Sequence, residues 1–335
     1  MGENEQDDKQ KTGLIRRIAG GLTNSNAEPE PPAEPPAPRY RRIHVVINPA
    51  SGQNVPILAT LNSVFAETGI EWDAFVTKKA GDAQLYAHEA AEAGIDALAV
   101  YGGDGTVLEA ASGLRGTQVP LAILPGGTAN VISQELGIPR DLADAARLLA
   151  RPDTELRAVD MGEVGGELFF HLGLGIEGEM IKGADRAAKD SSGTLAYIRS
   201  ALRSVRDVAP VHYRLLLDGK ESVEIEGVNL MVTNFGSVGV AGLKLSHAVD
   251  MSDGLMDVIV IQSANLGTFL SAAQDAVASG EIARSLLHWQ VREVEIITDQ
   301  PQTITRDGEL MEITDIKARV VPAAVRIIVP RAASE

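Results

Sequence analysis

The sequence predicts an α/β N-terminal domain built on a parallel sheet, followed by a β-rich, sandwich-like C-terminal domain. Three observations predict it. The chain has 335 residues, enough for two cores at roughly 100–200 residues per domain. From Arg41, short β-branched apolar runs alternate with helical stretches, as in strand–turn–helix units whose sheet is covered on both faces. After about Asp160 the texture changes to closely spaced β-rich segments separated by turn residues.

The elements follow in order. Residues 1–40 are expected to be a disordered Pro/Glu-rich arm, because EPEPPAEPPAP cannot build a core and favours extended conformations. Within the arm, Thr12 to Leu22 place Leu14, Ile15, Ile18 and Leu22 near one face, with Arg16 and Arg17 beside it. This reads either as a short membrane-touching helix or as disordered linker. Over 41–160, HVVIN (His44 to Asn48), DAFVT (Asp73 to Thr77), ALAVY (Ala97 to Tyr101) and LAIL (Leu121 to Leu124) are expected strands. Helices are expected over Val55 to Thr68, from near Asp82, and through Val107 to Ser112. Over 161–330, HYRLLL, VNLMVTN, MDVIVI, VREVEIIT, QTITR and VRIIV read as strands, with helical insertions near Thr194–Asp207 and Leu266–Ala278.

Composition excludes several function classes. Lys plus Arg number 30 and Asp plus Glu 46, giving a net charge of −16, the wrong sign for a dedicated nucleic-acid binder. The chain has no cysteine, which removes disulfides, thiol catalysis and Cys-ligated metals. Its six His are scattered, with no HExxH spacing. No apolar run reaches the ~18 residues of a bilayer span, and the acidic start MGENEQDD is unlike a secretory signal. A cytoplasmic protein, at most peripherally membrane-associated, is expected.

The chemistry concentrates in turns. Gly102-Gly103-Asp104-Gly105-Thr106 directly follows the third strand and opens a helix, so backbone amides and a positive helix terminus can meet phosphate oxygens. Asp104 would be repelled by bare phosphate, so it should hold a metal, a water or a ribose hydroxyl. The plainer alternative is a tight turn using Gly for geometry alone. Asn48-Pro49-Ala50-Ser51-Gly52 ends the first strand, and Pro125-Gly126-Gly127-Thr128-Ala129-Asn130 ends the fourth. In a parallel sheet these turns share the carboxyl edge, where ligands bind. Neither G-x-x-x-x-G-K-[ST] nor a G-x-G-x-x-G in the first strand–helix turn is present. Arg306-Asp307-Gly308-Glu309 and Asp253-Gly254-Leu255-Met256-Asp257 each read as an ordinary turn or as a carboxylate site.

NPASG, GGDGT, PGGTAN, DGLMD and RDGE, in this order over about residues 41–330, resemble the diacylglycerol-kinase catalytic family of lipid kinases, closest in style to its bacterial soluble members. The resemblance implies an ATP- and Mg²⁺-dependent kinase acting on a lipid alcohol, with 41–160 binding nucleotide and 161–330 holding the lipid and the catalytic base. It implies ATP contacts from Asn48, Pro49, Ala50, Ser51 and Gly52, from Thr77, from Gly102, Gly103, Asp104, Gly105, Thr106 and Glu109, and from Thr128. It implies a structural Mg²⁺ at Asp253, completed by backbone carbonyls near Asp250 and Leu255. Asp307 and Glu309 inherit the role of catalytic base, Asp307 being favoured for direct proton acceptance. Departures from the family pattern are Gln53-Asn54 after NPASG, with no Lys or Arg before Lys78, and Leu108 and Val131 in place of a frequent Asn and Asp. Diacylglycerol is the default acceptor. Alternatives are a sphingoid-base or ceramide kinase, an NAD kinase, and a catalytically weak lipid- or nucleotide-binding regulator. The oligomeric state is open, a homodimer included.

Between Lys182 and Asp207, six basic residues stand against three acidic ones. In a helix, Arg199, Arg203 and Arg206 would share a face opposite Leu195, Ile198, Leu202 and Val205. This reads as a patch docking onto anionic lipid or as a solvated face. Docking at about 1 kcal/mol per basic group predicts that Arg199→Glu, Arg203→Glu and Arg206→Glu together weaken binding to anionic vesicles in a salt-sensitive way. Unchanged co-sedimentation with such vesicles would discard the patch.

Overall fold

The computed structural model describes residues 39–51, 55–175, 209–238, 243–244, 249–262, 286–311 and 316–331. Residues 1–38 of the expected arm, Gly52, the two helical insertions and the basic stretch between Lys182 and Asp207 lie outside the described residues.

Four parallel strands carry the first part: β1 (Arg42–Ile47), β2 (Glu71–Val76), β3 (Ala97–Gly102) and β4 (Leu121–Pro125), in the order β2-β1-β3-β4. Every residue of β3 and β4 is buried, as their continuous apolar runs require when helices cover both faces. Helix α1 (Ile57–Thr68) buries Leu61, Val64 and Phe65, spaced at helical period. It ends at Gly69, whose φ of 71° lets its N–H return to the Phe65 carbonyl. Helices α2 (Asp82–Glu92) and α3 (Asp104–Gly113) pack so closely that a Cβ on Gly113 would lie 2.3 Å from the Gln84 carbonyl oxygen. Two short helices follow, α4 (Val131–Glu135) and α5 (Leu142–Arg147).

The remaining strands are β5 (Thr154–Val164), β6 (Glu167–Phe169), β7 (His171–Gly175), β8 (Val211–Leu217), β9 (Glu221–Gly227), β10 (Asn229–Thr233), β11 (Ser237–Val238) and β12 (Leu243–Lys244). After them come β13 (Met256–Ile261), β14 (Leu286–Val291), β15 (Glu293–Thr298), β16 (Ile304–Arg306), β17 (Glu309–Met311) and β18 (Ile316–Pro330). Antiparallel β14-β13-β10-β7-β16-β17 form one face of a sandwich. Leu172, Leu174, Leu230, Val232, Val258 and Val260 from that face pack against Leu215, Val294 and Ile296 of the other sheet. The α/β part and the β-sandwich are therefore as the sequence predicts.

The long strand β18 joins them. It pairs parallel with β4 at Ile327↔Leu121, antiparallel with β5 from Ala318↔Val164 to Pro330↔Thr154, and antiparallel with β15. Its Ile316 and Ala318 enter the sandwich core, whereas Val325, Ile327, Ile328 and Val329 enter the core of the parallel sheet. Residue 160 falls inside the continuous strand β5. Each core also has a tryptophan at its margin. Trp72 in β2 meets the Phe65 ring at 5.6 Å in the first, and Trp289 in β14 packs on the second.

Two carboxylates tie these pieces together. Glu163 in β5 accepts bonds from Arg115, just after α3, and from Arg319 in β18, and the Arg319 bonds are the main reason its carboxyl stays below the usual carboxylate range. Asp160 is buried; its Oδ1 accepts the Ala323 N–H at 2.7 Å and its Oδ2 accepts the Gly254 N–H at 2.6 Å. Ala323 has φ 49° and marks the register shift in β18 between Val321 and Val325, so Asp160 holds a bulge on one side and a loop on the other. Asp160→Asn cannot accept both bonds with equal strength. It should lower stability by about 1–3 kcal/mol, read as a shifted denaturant midpoint with unchanged slope.

Candidate active site

Because β1 to β4 run parallel, the turns that follow them open at one edge of the sheet. They enclose a cleft of about 580 Å³. Its lining is Asn48, Pro49, Ala50 and Ser51 after β1, Thr77, Lys78, Lys79 and Ala80 after β2, Gly103, Gly105, Thr106 and Glu109 after β3, Gly127 and Thr128 after β4, and Glu309 from the sandwich.

Side-chain bonds brace these turns. Asn48 donates from Nδ2 to Thr106 Oγ1 at 2.9 Å, and its Oδ1 accepts the Ala50 N–H at 3.0 Å. With its oxygen accepting from Asn48, the Thr106 hydroxyl keeps its own proton for a ligand in the cleft. Asn130, at φ 50°, accepts the Gly127 N–H at 2.9 Å and donates to the Gly127 carbonyl at 2.7 Å, closing the fourth turn on itself. A Cβ on Gly127 would stand 2.6 Å from Gly103 Cα, so the two glycine turns meet backbone to backbone. Glu109 accepts the Ala83 N–H at 3.2 Å, and Thr77 is anchored by its N–H to the Ile47 carbonyl at 2.9 Å.

The expected site residues separate into those that line the cleft and those that support it. Gly102 lies buried in β3, where a Cβ would collide with Thr106 at 2.5 Å. Asp104 is not part of the lining; its Oδ1 accepts the Ile132 N–H at 3.0 Å in the first turn of α4. That bond supplies an anchor which reading along the chain misses, because the partner lies 28 residues away. Gly127 lines the cleft from the fourth turn, as the sequence places it, whereas Lys78, Lys79 and Ala80 line it without being among the expected site residues. Their signal was positional, since each lies in a turn directly following a strand of the parallel sheet.

The Arg306–Glu309 turn has φ 48° at Asp307 and 89° at Gly308, the paired positive values of a type I′ hairpin. Asp307 turns back onto the chain: its carboxylate accepts the N–H of Phe170 at 3.2 Å and of His171 at 3.0 Å, while its own N–H donates to the His171 carbonyl. Burial pushes the Asp307 carboxyl up to about 7, against the opposing pull of His171 and the two amides. Glu309, two residues on, is exposed and faces the cleft.

The Asp250–Leu255 loop lies apart from the cleft lining. Asp250 is paired with Arg157 at 2.7 Å, which leaves its carbonyl rather than its carboxylate for a cation. Asp253 accepts the Leu255 N–H at 2.9 Å and Gln290 at 3.3 Å, and among the described residues it makes no ion pair. Among the described residues no three acidic, His or Cys side chains converge on a metal position. One carboxylate with backbone carbonyls is a hard oxygen set that suits Mg²⁺ with waters completing its shell, so the loop fits the ion in donor chemistry.

A glycine-lined cleft at the ends of parallel strands, faced by a carboxylate from a β-sandwich, belongs to the architectural class shared by NAD kinases and diacylglycerol kinases. Residues 42–164 match the diacylglycerol kinase catalytic domain, and residues 172–329 match the YegS C-terminal NAD kinase β-sandwich-like domain. A YegS-like protein of Pseudomonas syringae pv. tomato, named as a probable lipid kinase, is 30% identical over 78% of this chain and 85% of its own length. The diacylglycerol kinase of Bacillus subtilis (strain 168) is 29% identical over 80% of this chain and 90% of its own. A solved Bacillus anthracis structure assigned as a diacylglycerol kinase superposes with a TM-score of 0.73 at 25% identity, covering 88% of this chain and 98% of that one. The chain belongs to the diacylglycerol-kinase/YegS-type family of lipid kinases, and membership of a kinase family implies ATP as phosphoryl donor. Among the described residues, no helix is long and apolar enough to cross a membrane.

The raised Asp307 carboxyl carries a stability consequence. The folded group binds its proton more tightly than the unfolded one, so this contribution weakens stability as pH rises from about 4 to about 7. Asp307→Asn keeps an acceptor for both amides and tolerates the positive φ. It should melt at or above wild type at pH 8, with the advantage gone near pH 4. A lower melting temperature than wild type at pH 8 would contradict this.

Proposed function

We propose that the chain transfers the γ-phosphoryl group of ATP to the hydroxyl of a membrane lipid, with diacylglycerol the first acceptor to test and sphingoid bases or ceramide the nearest variants. One observation carries the reading: Glu309, borne on the sandwich, lines the same cleft as the four strand-end turns of the α/β part. Residues 41–160 then serve the nucleotide, and residues 161–330 serve the lipid and the base.

Phosphoryl transfer depends on positioning and charge stabilisation more than on covalent chemistry. Backbone N–H groups of Gly103 and Gly105 cradle the phosphates, Gly127 gives the fourth turn its close approach, and the hydroxyls of Thr106, Thr77 and Thr128 fix their orientation. Asn48 holds Thr106 in place, and Asp104 holds the third turn against α4. Glu309 accepts the proton of the acceptor hydroxyl as its oxygen bonds to the γ-phosphorus and ADP departs, leaving a phospholipid monoester. Asp307 fixes the hairpin that aims Glu309. Asp253, with the carbonyls of Asp250 and Leu255, would hold Mg²⁺ as a structural ion beside the sandwich. A separate Mg²⁺ accompanying the nucleotide would supply neutralising charge to its phosphates. Because the acceptor resides in a bilayer, the enzyme works at the membrane surface and feeds phospholipid metabolism from the cytoplasmic side.

Transfer of labelled γ-phosphate to a panel of lipid alcohols tests this. Glu309→Gln should lower kcat about 10²–10⁴-fold, and Asp104→Ala should raise the KM for ATP through a loosened turn. Full activity in Glu309→Gln would remove the residue from the base role. ATP binding by the wild type with no transfer to any lipid alcohol would favour a non-catalytic regulator, and NADP⁺ formation would favour the NAD-kinase alternative.

A further inference from the structure

We infer that Lys78 and Lys79 form a cationic clamp on the β- and γ-phosphates of the bound nucleotide. The inference rests on the nucleotide reading of the cleft. Among the described residues lining that cleft, these two lysines are the only cations, and the only other charged groups are Glu109 and Glu309. A nucleoside triphosphate carries about four negative charges near neutral pH, so backbone amides alone would leave it facing two like-charged carboxylates.

The lysines are placed for the task through their backbone N–H groups, which leaves both ammonium groups free of a hydrogen-bonded partner among the described residues. Asp82, at the start of α2, accepts the Lys78 N–H at 2.7 Å and the Lys79 N–H at 3.1 Å on one carboxylate oxygen. Its bonds go to the backbone, and neither lysine ammonium makes an ion pair or side-chain hydrogen bond among the described residues. Upstream, Thr77 is fixed to β1 through the Ile47 carbonyl, so the two-residue turn is pinned at both ends. Both side chains remain exposed at the rim, free to swing onto phosphate.

Triphosphate and monophosphate nucleotides distinguish the clamp from a general effect on the cleft. The full chain, as wild type, Lys78→Met/Lys79→Met and Lys78→Arg/Lys79→Arg, is titrated calorimetrically with ATP, ADP and AMP at low and high salt. Removing both lysines should weaken ATP about ten-fold or more and flatten the salt dependence, while AMP changes by less than about two-fold. The double Arg variant should keep ATP affinity within about three-fold of wild type. ATP binding unchanged in the double Met variant would overturn the clamp and leave the nucleotide reading standing. Equal losses for ATP and AMP would also overturn it, by tracing the effect to the shape of the cleft. A wild type that binds none of the three nucleotides would overturn the nucleotide reading and the clamp together.

Discussion

The shared strand β18 is the constraint on which both parts depend. Its first residues complete the sandwich core and its last complete the core of the parallel sheet, so neither core can move without distorting a continuous ladder. The bulge between Val321 and Val325 separates the residues of β18 that enter the sandwich core from those that enter the core of the parallel sheet. Asp160 makes that bend definite by binding Ala323 and, with its other oxygen, the Asp250–Leu255 loop at Gly254. The bend in β18 and the loop are thus held by one buried carboxylate.

At the cleft, two carboxylates separated by a single glycine have unlike surroundings. Asp307 is spent on the backbone of Phe170 and His171, and burial favours its neutral form. Glu309 is left facing solvent and the strand-end turns of the parallel sheet. The usual hairpin rule explains why: a type I′ turn takes Asp-Gly at its tip, and the residue after it resumes the strand with its side chain directed by pairing with Arg306. On the hairpin, Asp307 is bound to backbone amides and Glu309 faces the cleft, and this difference supports proposing Glu309 for the base.

What the sequence disclosed and what it withheld follow a physical line. Strands β1, β3 and β4 were legible because burial on both faces demands continuous apolar runs, and the convergence of their turns follows from parallel topology alone. Strand β7 was not legible, because HLGLG contains two glycines that ordinarily weaken a strand. Gly175 is required by a neighbour: a Cβ there would come 2.5 Å from the Val228 carbonyl oxygen, a contact no local pattern reveals. Strand β5 alternates only in part, since it is bound by β18 from the far end of the chain. The bracing role of Asp104 and the place of Lys78 and Lys79 at the cleft were hidden for the same reason: exposed lysines look solvated until the fold gives them a wall.

The two tryptophans have a use that their packing makes available. Trp72 reports from beside Phe65 in the first core and Trp289 from the margin of the second, and the chain has no others. The molecule therefore carries one tryptophan per core, selectively excitable over its tyrosines. Replacing either with phenylalanine leaves an optical signal that watches a single core while the other is perturbed. A strand common to both cores then becomes a mechanical coupling whose strength can be read in light, from whether the two emission signals change together or apart.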